Sequence, residues 1–314
     1  MISKFRGKDF LTLMDFTKEE IWDILRVSYD LKMKRAMGEP HEYLRGKTFA
    51  ALFENPSTRT RNSFQVGAAH LGAQAIYIRP DELQLTRGES LRDTARVLDR
   101  YYDGLFIRPA SGTAQERVEL FAEYMKKPVI NACSDFTHPC QGLADLLTIW
   151  EKKGRLDNLK VAWSGDPWNV CHSLMVGCGL MGMDMFMAFP EGYDPHSEVL
   201  RFATEAAAVN NTKMVITRNL KEALDGADIV VSQVFFSMAH DSEKEQRQKD
   251  FAPYQINSDA VSVAKNDYIF MHCGPGHPGV EATEEMFEGS HSAYYDEAEN
   301  RMHTEKAILA LFCA

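Results

Sequence analysis

The chain has 314 residues and a formal net charge of −10, and 45% of its residues are hydrophobic while 25% are charged. This length predicts two domains, and this composition is typical of a soluble globular protein. The negative charge argues against a nucleic-acid partner, which favours a basic face, and no apolar run reaches the roughly 18 residues of a membrane span.

Strands and helices alternate in the first half of the chain. Thr17 is placed to cap a first helix at about 17–36, with Glu20 as its capping-box partner. The further predicted elements are strands at 47–54, 74–79, 103–108 and 127–132, a helix in the second half of NPSTRTRNSFQVGAAHLG, and a helix at 90–101. This alternation predicts a parallel sheet with helices on both faces.

The second half of the chain repeats the alternation after a long helix at about 139–153, on which we place the domain boundary. The predicted elements are strands at 159–163, 183–190, 212–217, 227–233 and 268–273, and helices at 195–209 and 219–225. Asp296 is a candidate cap for a closing helix at 297–312. The charged segment 242–251 is interpreted as a solvated helix or loop. The predicted fold is therefore α/β, with two domains that are each a parallel sheet flanked by helices, joined by long helices.

The most informative segment is STRTR at 57–61, which follows a predicted strand and opens a predicted helix. A helix N-terminus presents unpaired N–H groups and a partial positive charge, and both suit a phosphate. Two arginines add charge-assisted contacts. A polar helix cap with a surface arginine pair is the alternative. Neither a P-loop nor a GxGxxG pattern is present, since SGDPWN at 164–169 does not match, and a nucleotide site is therefore poorly supported.

Several segments resemble, in the same order, the motifs of one known family. They are FENPSTRTRNSF, QLTRGESLRDTARVLDRY, DGLFIR, HPCQGLADLLTIWE, the strand–GD–xxN–VxHSL segment at 161–174, FFSM, MHCGP and DEAENRMHTEKA. Over nearly its whole length the chain resembles the aspartate/ornithine carbamoyltransferase family, most closely the ornithine branch. The resemblance implies a carbamoyl-phosphate-binding domain at 1–138, an acceptor-binding domain at 139–296, and a closing helix at about 297–314 that packs back on the first domain.

The resemblance also implies which residues bind the donor, carbamoyl phosphate. They are Ser57, Thr58, Arg59, Thr60, Arg108, His138, Gln141 and Arg301. The first four are expected to hold the phosphate, and Arg108, His138 and Gln141 the carbamoyl end. Thr60, Arg108 and His138 would donate to the carbamoyl oxygen as charge builds on it, in the manner of an oxyanion hole. Arg108 and His138, with Cys273 on the acceptor side, are the predicted catalytic residues.

The implied reaction needs no covalent intermediate and no metal or organic cofactor. A neutral amine attacks the carbamoyl carbon, and the departing phosphate can accept the amine proton, so positioning and preorganised electrostatics carry the rate enhancement. Gln84 is also expected to bind carbamoyl phosphate, because it lies in a loop that crosses to the neighbouring subunit's active site in the family. The resemblance therefore implies a homotrimer with shared sites, although a solvated loop residue is an equal interpretation of Gln84.

The acceptor side departs from the ornithine pattern at one position that recognises the amino acid. Ornithine enzymes carry Asp-x-x-x-Ser-Met-Gly, where this chain has QVFFSMA: Ser237 and Met238 are retained, but the Asp is Gln233 and the Gly is Ala239. A neutral amide loses the ion pair with an α-ammonium group, a change of about 1–3 kcal/mol. Asn169 matches the residue that binds the acceptor's α-carboxylate, so the carboxylate contact is kept while the ammonium contact is altered.

A second departure is HCGP, where ornithine enzymes usually have His-Cys-Leu-Pro. Cys273 is kept and is expected to lie beside the reactive amine, with a small buried thiol as the alternative. Gly274 removes a side chain next to the reacting group, and it either enlarges the pocket or loosens a backbone carbonyl expected to contact the carbamoyl amide.

The predicted activity is transfer of a carbamoyl group to L-ornithine, giving L-citrulline and phosphate. The same chemistry on another amino acid or amine, and a non-catalytic regulator that binds carbamoyl phosphate, are the alternatives. The expected partners are these small molecules, with no nucleic acid and no membrane. The six cysteines are scattered without a CxxC pair, which favours a reducing cytoplasm over a disulfide framework.

Overall fold

The computed structural model describes residues 4–112, 114–236 and 243–314. The chain divides into two compact units, one made of Met1–Ala144 with Glu299–Ala314 and the other of Asp145–Ala298. Both divisions fall within long helices, α5 (Pro139–Lys153) and α11 (Tyr294–Phe312). The predicted class, an α/β fold with two parallel sheets flanked by helices, is confirmed.

The first unit contains a four-stranded parallel sheet in the order β2-β1-β3-β4. Its strands are β1 (Thr48–Phe53), β2 (Gln74–Ile78), β3 (Gly104–Arg108) and β4 (Val129–Asn131). Its helices, besides the parts of α5 and α11 that belong to it, are α1 (Lys18–Ala36), α2 (Arg59–His70), α3 (Leu91–Tyr101) and α4 (Ala114–Tyr124). The strand order reverses between β1 and β3, and in such sheets ligands bind outside the carboxyl ends of the strands at the reversal.

Local sequence explains how α1 begins. The hydroxyl of Thr17 accepts a hydrogen bond from the backbone N–H of Glu20, and the Glu20 carboxylate accepts one from the backbone N–H of Thr17. The predicted capping box is therefore confirmed, and it satisfies two donors that a helix start otherwise leaves open.

An aromatic cluster joins the first and last segments of the first unit. The ring of Phe312 lies 5.2 Å from that of Phe5, 5.6 Å from Phe10 and 5.8 Å from Phe16, measured between ring centres. All four side chains are buried. Aromatic pairs at these separations add to the hydrophobic gain of burial, and they fix the end of α11 against the start of the chain.

The second unit contains a five-stranded parallel sheet in the order β7-β6-β5-β8-β9. Its strands are β5 (Lys160–Ser164), β6 (Asp184–Ala188), β7 (Met214–Thr217), β8 (Ile229–Ser232) and β9 (Ile269–Met271). Its helices, besides its parts of α5 and α11, are α6 (Asn169–Met181), α7 (Ser197–Val209), α8 (Leu220–Leu224), α9 (Lys244–Phe251) and α10 (Glu284–Glu288). Here the order reverses between β5 and β8, which marks a second favourable place for a ligand.

Three details differ from the sequence interpretation. The closing helix α11 begins at Tyr294, so Asp296 lies in its first turn and is not its cap. The segment interpreted as solvated includes helix α9, whose Arg247 is buried, because that side chain pairs with a buried carboxylate. Helices α4, α6 and α10 were not assigned from the sequence. No helix in the described parts of the chain has the length and apolar character needed to cross a membrane.

Candidate active site

The residues at the start of α2 stand at the carboxyl end of β1. Arg59 is the first residue of the helix, and Thr58 before it forms no side-chain capping bond to the helix. Ser57 and Arg59 are partly exposed, Thr58 is exposed, and Thr60 is buried. The first N–H groups of a helix have no partner within it, so this end offers donors and a positive potential to an anion. Pro56 precedes the helix and is not part of its first turn.

Arg108 is brought to this helix start by the pairing of two strands. It ends β3, where it lies opposite Phe53 at the end of β1. Its Nη1 donates a hydrogen bond of 3.3 Å to the hydroxyl oxygen of Ser57. The carboxyl ends of β1 and β3 thus place a guanidinium next to the N-terminus of α2, and both features favour a negatively charged ligand.

Arg301 lies in the interior of the first unit, with 2% of its side chain exposed. Its Nη1 donates to Oε1 of Gln141 at 2.8 Å, and its Nη2 donates to Oγ1 of Thr60 at 3.2 Å. Nη2 also donates to Oε1 of Glu305 at 2.9 Å. Helices α2, α5 and α11 therefore meet at one guanidinium group, whose planar geometry fixes the directions of these bonds.

His138 is buried beside three arginines. Burial lowers the pKa of His138 well below its usual value, and the charges of Arg301, Arg108 and Arg59 lower it further. The imidazole is consequently neutral near pH 7, with one ring nitrogen able to donate a hydrogen bond and the other able to accept one. A neutral imidazole can polarise a carbonyl oxygen, but it is a poor source of a proton.

The eight predicted donor residues other than Gln84 therefore collect around one end of the first sheet. Gln84 stands apart from them. It begins a short exposed turn that ends at Arg87, and its own side chain is exposed. Among the described residues, no hydrogen bond joins the side chain of Gln84 to that group.

The predicted acceptor residues that the structure describes follow neighbouring strands of the second sheet. Asn169 begins α6 after β5, Gln233 follows β8, and Cys273 with Gly274 follows β9. The thiol of Cys273 donates to Oε1 of Gln233 at 3.1 Å. Ser237 and Met238 lie outside the described residues.

The chain after β5 approaches Gln233 so closely that it requires glycine. Gly165 has a φ of +119°, and a Cβ there would lie 2.3 Å from the carbonyl oxygen of Gln233. The backbone N–H of Gln233 also donates to the carbonyl oxygen of Ser164 at 2.9 Å. The position of Gln233 is therefore fixed by the loop after β5 as well as by its own strand.

Gly274 has a φ of +69° and precedes a cis peptide bond to Pro275. Such a φ favours glycine. The backbone conformation therefore offers a third explanation of Gly274, in addition to an enlarged pocket and a loosened backbone carbonyl. The N–H of Gly274 donates to Nδ1 of His272 at 2.9 Å. Because Nδ1 accepts, we assign the ring proton to Nε2, which lies 3.2 Å from Oε1 of Glu281.

Glu281 is a buried carboxylate behind this turn. Burial alone would raise its pKa, but hydrogen bonds from His272 and from the backbone N–H of His277 outweigh burial, so the pKa lies below its usual value. The ionised carboxylate orients the His272 ring, and the ring in turn holds the backbone of Gly274. Sequence reasoning missed this pair, although both residues lie close to the HCGP motif.

A second buried pair supports the loop after β5. Nη1 of Arg247 lies 3.1 Å from Oδ2 of Asp166, and these side chains are 8% and 5% exposed. Nε of Arg247 also donates to Oε2 of Glu243 at 2.8 Å. Asp166 stands three residues before Asn169, so this ion pair ties α9 to the start of α6. The sequence feature that could have indicated this ion pair is an arginine in a short charged helix that follows the QVFFSM segment.

No group of three or more His, Cys, Asp or Glu side chains in residues 4–112, 114–236 and 243–314 could hold a metal ion. The polar side chains gather instead at the carboxyl ends of parallel strands, at the reversal of strand order in each sheet. The fold and these clusters are typical of α/β proteins that bind small polar ligands, and the cluster in the first unit has the charges that suit an anion.

Comparison with known proteins gives a consistent result over the whole chain. Residues 8–151 match the carbamoyl-P binding domain of aspartate/ornithine carbamoyltransferases, and residues 157–312 match their Asp/Orn binding domain. The second match continues to residue 312, although Glu299–Ala314 pack in the first unit, because the match follows chain order.

Curated relatives include ornithine carbamoyltransferases of Pyrococcus horikoshii, 47% identical over 99% of this chain and 97% of that protein, and of Carboxydothermus hydrogenoformans, 48% identical over 99% of both. The solved ornithine carbamoyltransferase of Pyrococcus furiosus has a TM-score of 0.94 and 46% identity, covering 98% of this chain and 97% of that one. The chain belongs to the aspartate/ornithine carbamoyltransferase family.

Proposed function

We propose that the protein transfers the carbamoyl group of carbamoyl phosphate to L-ornithine, giving L-citrulline and phosphate. The observation that carries this proposal is the buried Arg301 guanidinium, bonded to Thr60 at the start of α2 and to Gln141 on α5. The relatives named ornithine carbamoyltransferase, 44% to 48% identical over almost the whole chain, support the choice of acceptor.

In this proposal, residues 1–138 form the carbamoyl-phosphate-binding domain. Ser57, Thr58 and the N–H groups at the start of α2 bind the phosphate oxygens, and Arg59 opposes their charge. Two groups outside that range, Gln141 and Arg301, also contact the donor. A phosphate held in this way becomes a better leaving group, because negative charge grows on it as it departs.

The carbamoyl oxygen is assigned to Thr60, Arg108 and His138. As the amine attacks, this oxygen gains negative charge, and donors already in place stabilise it without reorganisation. The lowered pKa of His138, caused by burial and by the nearby arginines, supports a role as a neutral hydrogen-bond donor and not as an acid.

The chemical steps balance without a metal or an organic cofactor. The neutral amine forms a C–N bond to the carbamoyl carbon, and the C–O bond to phosphate breaks. The departing phosphate takes the proton from the attacking nitrogen, so no protein base is assigned. The rate enhancement then comes from positioning and from fixed charges and dipoles.

In the same proposal, residues 139–296 form the acceptor-binding domain. The acceptor's α-carboxylate is assigned to Asn169, and its α-ammonium to the neighbourhood of Gln233. Ser237 and Met238 belong to the same site. Cys273 and Gly274 are placed beside the amine that reacts.

Gln233 supports a second candidate, the same transfer to a different amine. Its side-chain oxygen already accepts a hydrogen bond from the Cys273 thiol, and it carries no charge. It therefore offers an ammonium group less attraction than a carboxylate would. An acceptor whose α-amine is modified or absent would lose less at this position than L-ornithine.

We also propose that the protein works as a homotrimer in the cytoplasm. Gln84 supports the trimer, because it lies on an exposed turn and, among the described residues, its side chain forms no hydrogen bond to the other donor residues of its own chain. None of the six cysteines, all of which the structure describes, forms a disulfide bond, which supports a reducing compartment. Size measurement of the purified protein by light scattering tests the trimer.

An amine panel tests the function directly. The purified protein is given carbamoyl phosphate with L-ornithine, other diamino acids and a simple diamine, and phosphate release and ureido product are recorded together. Turnover of L-ornithine above all other amines supports the proposal. Higher turnover of another amine favours the second candidate, and absence of product with every amine favours a non-catalytic binder of carbamoyl phosphate.

A further inference from the structure

A buried carboxylate lies directly behind the donor site. Glu305 stands one helical turn after Arg301 on α11, and its side chain is 0% exposed. Its Oε1 accepts from Nη2 of Arg301 at 2.9 Å, and its Oε2 accepts from the hydroxyl of Ser63 at 2.6 Å. Both carboxylate oxygens are therefore occupied, one by α11 and one by α2. None of the functions proposed above uses this residue.

Of the three side chains that accept hydrogen bonds from Arg301, Glu305 is the one that can carry a charge. The other acceptors, Gln141 and Thr60, are neutral. The N–H groups of a buried guanidinium need hydrogen-bond acceptors, and Glu305 supplies one that can also carry a negative charge. With one nitrogen on Gln141 and the other shared by Thr60 and Glu305, the guanidinium plane has little freedom to rotate.

The ionisable neighbours of Glu305 determine when it carries charge. Burial raises the pKa of Glu305 to about 7, although Arg301 and the Ser63 hydrogen bond act to lower it. On α5, Cys140 also interacts with Glu305, and burial keeps that thiol neutral by raising its pKa. His138, before α5, is neutral because its pKa lies well below the usual value. Glu305 is thus the group here whose charge changes near neutral pH, while Arg301, and Arg59 and Arg108 beside His138, stay charged.

We propose that Glu305 is a positioning residue of the carbamoyl phosphate site: it holds Arg301 against Thr60 and Gln141, and its charge sets how strongly Arg301 attracts the anionic donor. This inference rests on the proposed function. With the carboxylate ionised, the pair is close to neutral and the donor meets a weaker positive potential. With the carboxylate protonated on Oε2, the hydrogen bond from Arg301 remains and the one with Ser63 reverses, while the full charge of Arg301 faces the donor.

The test compares the wild type with Glu305→Gln, which keeps the shape and removes the charge. The amide oxygen can still accept from Arg301, and the amide nitrogen can donate to the Ser63 oxygen. KM for carbamoyl phosphate and kcat are measured with saturating L-ornithine between about pH 6 and about pH 8.5. Taking the ratio of the two KM values at each pH cancels the titration of the ligand itself.

The expected ratio of wild-type to variant KM is close to unity at the acidic end and rises to about three- to tenfold at the basic end, while kcat changes little. A ratio that is constant, or that falls with pH, contradicts the proposal. If Glu305 had only a structural role, the KM ratio would not rise as its carboxyl group ionises.

Ser63→Ala provides a second variant that does not depend on the first. Removing this hydroxyl takes a hydrogen bond from the ionised carboxylate, so the pH at which donor affinity weakens should move upward, by up to about one unit. An unchanged or lowered midpoint contradicts the proposal even if Glu305→Gln fails to fold.

Binding of carbamoyl phosphate without any amine, followed by calorimetry, separates this inference from the proposed function. If the wild type turns over L-ornithine but the affinity ratio is flat, the function stands and the role of Glu305 fails. If the ratio rises with pH but no amine is carbamoylated, the role of Glu305 stands and the function fails. If carbamoyl phosphate does not bind at all, both fail.

Discussion

The two candidate sites are built from different kinds of interaction. In the first unit the cluster is built around two charged groups: Arg108 beside Ser57, and Arg301 between Thr60 and Gln141. In the second unit, the bond between Cys273 and Gln233 joins neutral groups, and the buried Glu281 carboxylate stands behind His272.

The difference follows from what each site would bind. An acyl phosphate needs fixed positive charge, and its carbamoyl oxygen gains charge during the reaction, so arginines beside the donor would act on the chemistry itself. An amine must remain neutral to attack, so a strong carboxylate beside the reacting nitrogen would oppose the reaction by favouring its protonated form. Neutral groups held in place by buried charges behind them avoid this cost.

The largest expected effect is the loss of a charge that acts on the donor. Arg108→Ala should lower kcat/KM for carbamoyl phosphate by about a thousandfold, because one oxyanion donor and one positive charge disappear together. Steady-state kinetics measures it. Arg100→Ala on α3 removes the same charge from an exposed position and serves as the control. Equal losses in the two variants would show that only the net charge matters.

A smaller effect is expected from the buried pair behind the acceptor residues. Asp166→Asn leaves the Arg247 guanidinium buried without its inner partner, and this should lower the free energy of unfolding by about 3 kcal/mol. Urea denaturation measures it. Glu243→Gln removes the outer partner, whose side chain is 55% exposed, and should cost far less. If the two variants are equally stable, the Asp166 pair does not support this loop as described.

The stability of the first unit should depend on pH through Glu305. Its pKa is raised by burial from 4.5 to about 7 in the folded protein. Protonated Glu305 therefore makes its full contribution to the free energy of unfolding below the pKa of the unfolded state. This contribution is lost as the pH rises through the pKa of the folded state. The free energy of unfolding of Glu305→Gln should then exceed that of the wild type by about 3 kcal/mol above neutral pH and approach it in acid.

Thermal or urea unfolding over this pH range measures the difference. Glu123→Gln, an exposed position on α4, is the control and should show no comparable change with pH. A Glu305→Gln variant that is less stable than the wild type at basic pH would mean that the ion pair with Arg301 outweighs the cost of burying the carboxylate.

The smallest effect concerns the choice of amine. Gln233→Asp should lower KM for L-ornithine by about tenfold, since a carboxylate attracts the α-ammonium more strongly than an amide. Kinetics with L-ornithine and with a diamine that lacks the α-ammonium measures the contrast. The diamine should gain nothing. If ornithine use is unchanged by the substitution, Gln233 does not determine specificity.

Local signals predicted much of the fold. The capping box at Thr17 and Glu20 predicted the start of α1, and the apolar run at 47–54 predicted β1, because both depend on residues close in sequence. The closing helix was expected to start later than Tyr294, since Asp296 is equally favourable within a first turn.

The supporting groups of the sites were harder to predict. The pattern STRTR indicated an anion site, but nothing near Ser63 in the sequence points to Glu305, which is 242 positions away. Arg247 looked like one more charge in a polar segment, because a charged residue is usually exposed and its buried partner is visible only after folding. Sequence patterns thus indicated residues that face a ligand, whereas the groups behind them depend on tertiary contacts.

The placement of α11 has a consequence for protein synthesis. The second unit is one continuous stretch, Asp145–Ala298, whereas the first unit needs Glu299–Ala314 in addition to the start of the chain. Arg301, Glu305 and Phe312 all belong to this late segment. A ribosome therefore makes all of the second unit before it makes the residues that complete the first, and the earliest part of the chain waits longest for its partners.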